Sequence, residues 1–250
     1  PIKQVFKIPA LLGEVDVLKA IQLLPGVQSS EGNSGFYVRG GGPDQNLILL
    51  DGVPVYNAAH LGGLFSIFNP DAIKNIRLTK GGFPARFGGR LSSVLEIDMK
   101  EGNMKKLKSD ITIGIISSKF TFEGPIIKDR TSFIISARRT YADLIVRPFI
   151  PENTNLNMYF YDLNIKINHK ISDKDRVFLS SYLGRDQFGV DYEENESDYS
   201  DALKFGLGYG NITSTLRWNH LFNDKLFSNT TLTYSRYAFN TDFGLNSNYN

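Results

Sequence analysis

The sequence predicts an α+β module followed by antiparallel strands of a transmembrane β-barrel, and three observations carry that expectation. The first is the segment from Phe36 to Ile97, where short apolar runs alternate with glycine clusters, a basic residue beside nearly every cluster. Glycine goes where backbone turns with positive φ or approaches other backbone closely, so this density describes a compact, turn-rich module. The second is strict alternation from Met158 to Lys170. Tyr159, Tyr161, Leu163, Ile165 and Ile167 fall on one face; Asp162, Asn164, Lys166, Asn168 and Lys170 fall on the other, and Phe160 alone interrupts the polar side. A strand with lipid on one side and a wet lumen on the other requires this pattern, with aromatics near its end. The third is that short turns such as Asn223-Asp224-Lys225 alternate with longer polar connections, Arg147 to Asn155 and Asp186 to Asp201. Outer-membrane barrels show that asymmetry. Alternation by itself leaves a soluble antiparallel sandwich equally open.

The elements follow in order. Asp16 can cap a helix from Val17 to Leu24, with Leu18, Ile21 and Leu24 along one face and Pro25-Gly26 ending it. Strands are expected at Phe36 to Arg39 and Leu47 to Leu50, with Asp51-Gly52 as a tight turn. Asn69-Pro70-Asp71 places a capping side chain before a proline, opening a short helix to about Asn75. Ile76 to Thr79 and Val94 to Met99 read as strands. Elements this short bury little surface alone, so the module is expected to need a surrounding wall. From Lys105 the pattern changes to long strands: Ile111 to Phe122, Ser132 to Tyr141, Met158 to Lys170, Arg176 to Arg185, Asn211 to His220 and Leu226 to Phe239. About six strands cannot close a barrel wide enough to hold a module. The remainder is expected beyond Asn250, and with Pro1 at the start the chain reads as a fragment or processed piece. The expected domains are 1–103 and 104–250.

Composition bounds the function classes. The chain has 250 residues, 41% hydrophobic and 22% charged, which fits a folded protein. A formal charge of +2 gives no argument for nucleic acid or an acidic partner. Without cysteine there are no disulfides, thiolate metal sites or cysteine nucleophiles. The glycine clusters fit neither dinucleotide nor P-loop spacing, and His60, His169 and His220 form no HExxH. Ser92-Ser93 sits in GGRLSSV, which is no nucleophile elbow, and Glu193-Glu194 reads as a solvated pair. No enzyme, cofactor or metal is expected.

Several linked motifs then align with a known family: LLPGV at Leu23 to Val27, FYVRGG at Phe36 to Gly41, NLILLDGVPVYN at Asn46 to Asn57, FNPDAI at Phe68 to Ile73, and KGGFPARFGGRLSSVLEI at Lys80 to Ile97. Together they resemble the plug domain of TonB-dependent outer-membrane receptors, most closely the Bacteroidetes type with a carboxypeptidase-regulatory-like domain before the plug. The resemblance implies a plug that closes a barrel in the outer membrane of a Gram-negative bacterium. It also implies an extracellular small-molecule or oligomeric substrate, and release driven by the TonB–ExbB–ExbD energy-transducing complex. A surface lipoprotein is a further implied partner. The energy-coupling box is expected upstream, since Pro1 to Ile8 does not match one.

Site residues follow from the same resemblance. Arg39 occupies the position from which the family's plug arginine pairs with barrel glutamates. Removing one partner of such a buried pair strands the other charge. Lys80 falls where relatives carry a second arginine, but lysine cannot reproduce the bidentate fork. Arg86 and Arg90 are further lock candidates. The segments Gly42 to Asn46 and Tyr56 to Leu61 map to the outward apices, making Asp44, Gln45, Tyr56, Asn57 and His60 substrate candidates; ordinary turn chemistry is the plain alternative. The expected function is import of a scarce nutrient such as an iron chelate, cobalamin, glycan or peptide. The alternatives are a non-transporting outer-membrane receptor and a soluble β-rich carbohydrate-binding or adhesion domain.

Overall fold

The computed structural model describes residues 14–29, 35–195 and 199–249. The segment Pro1 to Ile8 and the middle of the second expected connection, 196–198, lie outside them.

The N-terminal module begins with helix α1 (Val17–Gln22). The Asp16 carboxylate accepts from the Lys19 amide at 3.0 Å and from the Ser66 amide at 2.7 Å, so the cap also ties the helix to the chain beyond it. Val17, Leu18 and Ile21 are buried, whereas Leu24, expected on the same face, lies past the helix end and is exposed. Strands β1 (Val27–Ser29) and β2 (Phe36–Val38) pair antiparallel. A four-stranded sheet forms from β3 (Asn46–Leu50), β4 (Val53–Pro54), β7 (Ile73–Lys80) and β8 (Ser93–Met99), in the order β4-β3-β8-β7 with β3 parallel to β8. Asp51 and Gly52 form the β3–β4 turn at φ 49° and 86°, left-handed values that favour an Asp-Gly pair. A small ladder of β5 (Ala59–His60) and β6 (Phe65–Ser66) completes the module. The expected helix after Asn69 is one 3-10 turn, Pro70–Ala72, because the apolar run from Ile73 pairs with β8. An apolar cluster of Val17, Ile21, Phe36, Val38, Phe68, Leu95, Ile97 and neighbours fills the interior, with Tyr182 added from outside. The module thus carries more core of its own than its short elements suggest.

The rest of the described chain is one seven-stranded antiparallel meander: β9 (Lys108–Ile113), β10 (Ser117–Ile127), β11 (Thr131–Thr140), β12 (Thr154–Lys170), β13 (Asp175–Asn195), β14 (Tyr199–Asn223) and β15 (Leu226–Tyr249). A short helix, α2 (Ala142–Val146), lies between β11 and β12. The expected strand Ile111 to Phe122 is two strands, since the chain reverses at Gly114, whose amide bonds the Ser117 carbonyl. Asp186 to Asn195, expected as loop, is the upper part of β13, paired from Asp186↔Tyr209 to Asn195↔Ser200. Alternation continues there, with Phe188, Val190 and Tyr192 on one face and Gln187, Asp191 and Glu193 on the other, but the glycine and the acidic residues make the segment read as loop. With 25 residues, β14 is far longer than the about 9–11 needed to cross a bilayer. Among the described residues no helix is long and apolar enough to cross a membrane, which says nothing about strands.

The sheet is polar where it is covered and apolar where it is open. Ser132, Ser136, Asp162, Asn164, Lys166, Asn168, Asn211 and Thr213 are buried against the module. Leu216, Trp218 and Leu232, pointing the other way, are 46%, 44% and 71% exposed.

Candidate functional site

The two halves meet along a seam of charge. Its centre is Asp162 on β12, where the period-two pleat aims it at the module. Asp162 Oδ2 accepts from Arg138 Nε of β11 at 2.8 Å, and its Oδ1 accepts from the Tyr182 hydroxyl and from His60 Nε2, both at 2.7 Å. The other imidazole nitrogen, His60 Nδ1, lies 2.6 Å from Asp186 Oδ2 of β13. Asp186 Oδ1 accepts the Leu61 amide at 2.8 Å. Ionised carboxylates only accept, so the imidazole donates from both nitrogens and is a cation. Burial works against that charge, but Asp162 foremost, with Asp186, outweighs it and holds His60 above its ordinary value.

Phe160, the residue that interrupts the polar face, has its reason here. Its ring stacks on the His60 imidazole, centroids 4.0 Å apart and planes 4° from parallel. The Arg138 guanidinium lies 4.9 Å from the same centroid, so the aromatic face meets two cations. Arg138 also donates to the Ser66 carbonyl at 2.7 Å and sits 3.7 Å from Glu14, which Lys119 approaches at 3.6 Å. His60, Arg138 and Lys119 thus meet Asp162, Asp186, Glu14 and, 3.8 Å from Lys119, Asp71.

A second contact forms at the β3–β4 turn. Lys166 Nζ lies 2.9 Å from Asp51 Oδ2, and Arg217 donates to the Asp51 carbonyl at 3.0 Å. Asp51 Oδ1 meanwhile accepts the Met99 amide, binding the turn to β8. Neutral bonds continue the seam: Asn69 to the Ser136 hydroxyl at 2.7 Å, Asn211 to the Asn57 carbonyl at 2.8 Å, and Ser235 to the Pro54 carbonyl at 2.8 Å.

The nine residues singled out from the sequence separate into three groups. Asp44, Tyr56 and Asn57 gather with Tyr237 of β15 around a cavity of about 370 Å³, and Gln45 ends the 3-10 turn beside it. His60 is not at an open apex: it is 1% exposed, and both ring nitrogens are engaged by the sheet. Arg39 and Arg90 are exposed, Lys80 donates to the Pro25 carbonyl, and Arg86 lies 3.7 Å from Glu96. Among the described residues, none of these four pairs with a carboxylate of the seven-stranded sheet. Apart from His60, which meets Asp162 and Asp186 of the strands, the charges that cross the seam run the other way, with cations on the strands and carboxylates Glu14, Asp51 and Asp71 on the module. Sequence reading passed over Arg138, Asp51 and Asp186; the one local signal was the misplaced aromatic at Phe160. Among the described residues no group of His, Asp or Glu could hold a metal ion.

Residues 8–93 match the family described as the TonB-dependent Receptor Plug Domain. No curated protein matches the chain. Among solved structures, the outer membrane transporter YddB from Escherichia coli superposes with a TM-score of 0.53 at 14% identity, over 96% of this chain and 44% of that one. The copper transporter OprC gives 0.53 at 9% identity, over 90% and 45%. The siderophore receptor PirA from Acinetobacter baumannii gives 0.48 at 18%, over 87% and 45%. The chain thus spans less than half the length of these structures, and at such identities the likeness is one of fold. A plug domain of the TonB-dependent receptor kind, followed by an antiparallel sheet resembling part of such a receptor's barrel, is what this chain contains.

Proposed function

We propose that the chain is the plug (1–103) and first barrel strands (104–250) of an outer-membrane importer in a Gram-negative bacterium. The observation that carries this reading is the inverted polarity of the sheet, charged and amide side chains toward the plug and apolar ones outward. A soluble sandwich would bury its apolar face instead. A polar seam suits a gate, because separation returns hydrogen-bonding groups to water without exposing a large apolar surface.

In this reading extracellular substrate meets Asp44, Gln45, Tyr56 and Asn57, and the TonB–ExbB–ExbD complex supplies the pull that opens the seam. Arg39, with Lys80, Arg86 and Arg90, supplies in the same reading the cations that pair with carboxylates of later strands. Iron chelates, cobalamin, glycans and peptides are the substrate classes, and a surface lipoprotein is a further partner. These 250 residues contain no cysteine to compete with an introduced pair. Pro54→Cys with Ser235→Cys, joined by a short thiol crosslinker in the full-length protein, pins the plug to β15. Uptake of whichever class the wild type imports should stop and return on cleavage of the linker. Uptake that persists in the pinned protein overturns the gating mechanism. Binding without uptake in either state identifies a non-transporting receptor, and a monodisperse full-length protein without detergent refutes the membrane reading.

A further inference from the structure

The outward face of the sheet changes character over four successive cross-strand rows. The first, Phe133–Ile167–Leu179–Leu216–Leu232, is apolar throughout. Two rows higher, Ala137–Leu163–Leu183–Ile212 ends in Arg236. The next is Arg139–Tyr161–Arg185–Gly210–Ala238. Arg139, Arg185 and Arg236 therefore stand on alternate strands, β11, β13 and β15, where the apolar belt stops, on the side that carries the long strand extensions. All three are exposed, and none has a carboxylate partner among the described residues; Arg139 lies over the Tyr159 ring at 5.6 Å. Asp242, on the same face, lies beyond them toward the strand tips.

Between Arg185 and Arg236 the sheet surface is hollow. Gly206, Gly208 and Gly210 fall on the outward side of β14, removing three successive side chains from that strand. A Cβ at Gly208 would stand 3.1 Å from the Gln187 side chain and 3.2 Å from that of Asn240, so the amides lean over the space that glycine leaves. The hollow measures about 260 Å³ and is lined by Tyr161, Leu183, Arg185, Ile212, Arg236 and Asn240. Aliphatic groups form its lower wall, guanidinium groups its sides and amides its upper rim.

We propose that this groove binds the phosphorylated headgroup of a glycolipid in the outer leaflet, a site distinct from the plug and the substrate path. The inference rests on the outer-membrane reading above. Charge complementarity selects the occupant: the Arg185 and Arg236 guanidinium groups that line the groove bind phosphate through paired N–H donors, and Arg139, two strands from Arg185, adds positive charge beside it. Gln187 and Asn240 supply partners for sugar hydroxyls, and the wall of Leu183 and Ile212 continues into the belt that acyl chains cover.

The test uses the full-length protein in phosphatidylcholine nanodiscs doped with diphosphoryl lipid A, counting retained lipid A by native mass spectrometry. Replacing Arg139, Arg185 and Arg236 together with Gln should weaken retention about a hundredfold, at roughly a factor of five per arginine near a membrane surface. Gly208→Leu, which keeps the arginines and fills the groove, should weaken it as well. Dephosphorylated lipid A should be retained no better by wild type than by the triple variant, and millimolar inorganic phosphate should not displace the lipid. Equal retention by wild type and both variants, in protein that inserts normally, overturns the lipid site alone. Displacement by free phosphate replaces it with a general anion site. Failure of the wild type to insert sinks the outer-membrane reading itself.

Discussion

The interior of the plug and its seam with the sheet are both buried, yet they are built from opposite chemistry. Inside the plug, Phe36, Phe68, Leu95 and Ile97 pack in an apolar cluster that water cannot replace. Along the seam, Arg138, His60 and Lys166 meet carboxylates, and contacts there are hydrogen bonds that water can take over. The difference separates folding from seating. Core contacts hold the plug's shape, and seam contacts hold its place, so the second can be released while the first persists.

The largest expected effect tests the seam. Arg138→Ala leaves Asp162 and Glu14 facing each other in a buried site without their guanidinium, which costs about 3–5 kcal/mol by analogy with other broken buried pairs. That loss should appear as plug release in the full-length protein, read as higher passive conductance. Amide protection within β3 and β8 should survive. Collapse of that protection together with release would show that seat and shape are one unit.

Leu95→Ala is the counterpart in the core. Leu95 is 0% exposed at the centre of β8, and truncation there removes packing and leaves a cavity, costing about 2–5 kcal/mol. Amide protection should fall across β3, β7 and β8 before the seam opens. Loss confined to the seam would reverse the assignment of the two regions.

These assignments differ in how far the sequence discloses them. Alternation from Met158 to Lys170 shows which face of β12 is wet, because one strand's pleat is a local property. Asp16 as cap and Asp51-Gly52 as turn are equally local, and all three stand in the structure. What His60 does is not local: its partners lie 102 and 126 positions away, joined to it only when the meander wraps the plug. A histidine in a polar apex segment reads as solvent-facing until that register is known. Phe160 was visible as an anomaly, but its meaning needed the two cations that flank its ring.

His60→Gln sharpens the comparison further, through pH. The neutral amide keeps some bonding capacity but loses the charge, a loss of about 1.5–3 kcal/mol for hydrogen bonds to charged groups. Asp162, Asp186, Arg138 and Tyr182 surround the ring, with Phe160 on its face. Because folding raises the His60 value above 6.5, its contribution is complete below that pH and fades as pH climbs through the raised value. Wild-type plug seating should therefore weaken on alkaline titration, and the Gln variant should lack that component. Identical alkaline profiles for the two proteins would remove His60 from the latch.

The smallest effect belongs to the exposed periphery. Arg86 reaches Glu96 at 3.7 Å, but its side chain is 64% exposed and its guanidinium also lies over Phe87. Solvent screens such a pair, so Arg86→Ala should change plug stability by less than about 0.5 kcal/mol, most of it salt-sensitive. The value of so small a number lies in what it isolates. Arg86 is linked to the plug's own sheet, whereas the lock proposal gives it a partner on later strands. A near-zero effect on plug stability combined with raised conductance in the full-length protein would place that partner on the later strands. A near-zero effect on both leaves the latch with the buried groups, Arg138 and His60, which the described sheet already holds.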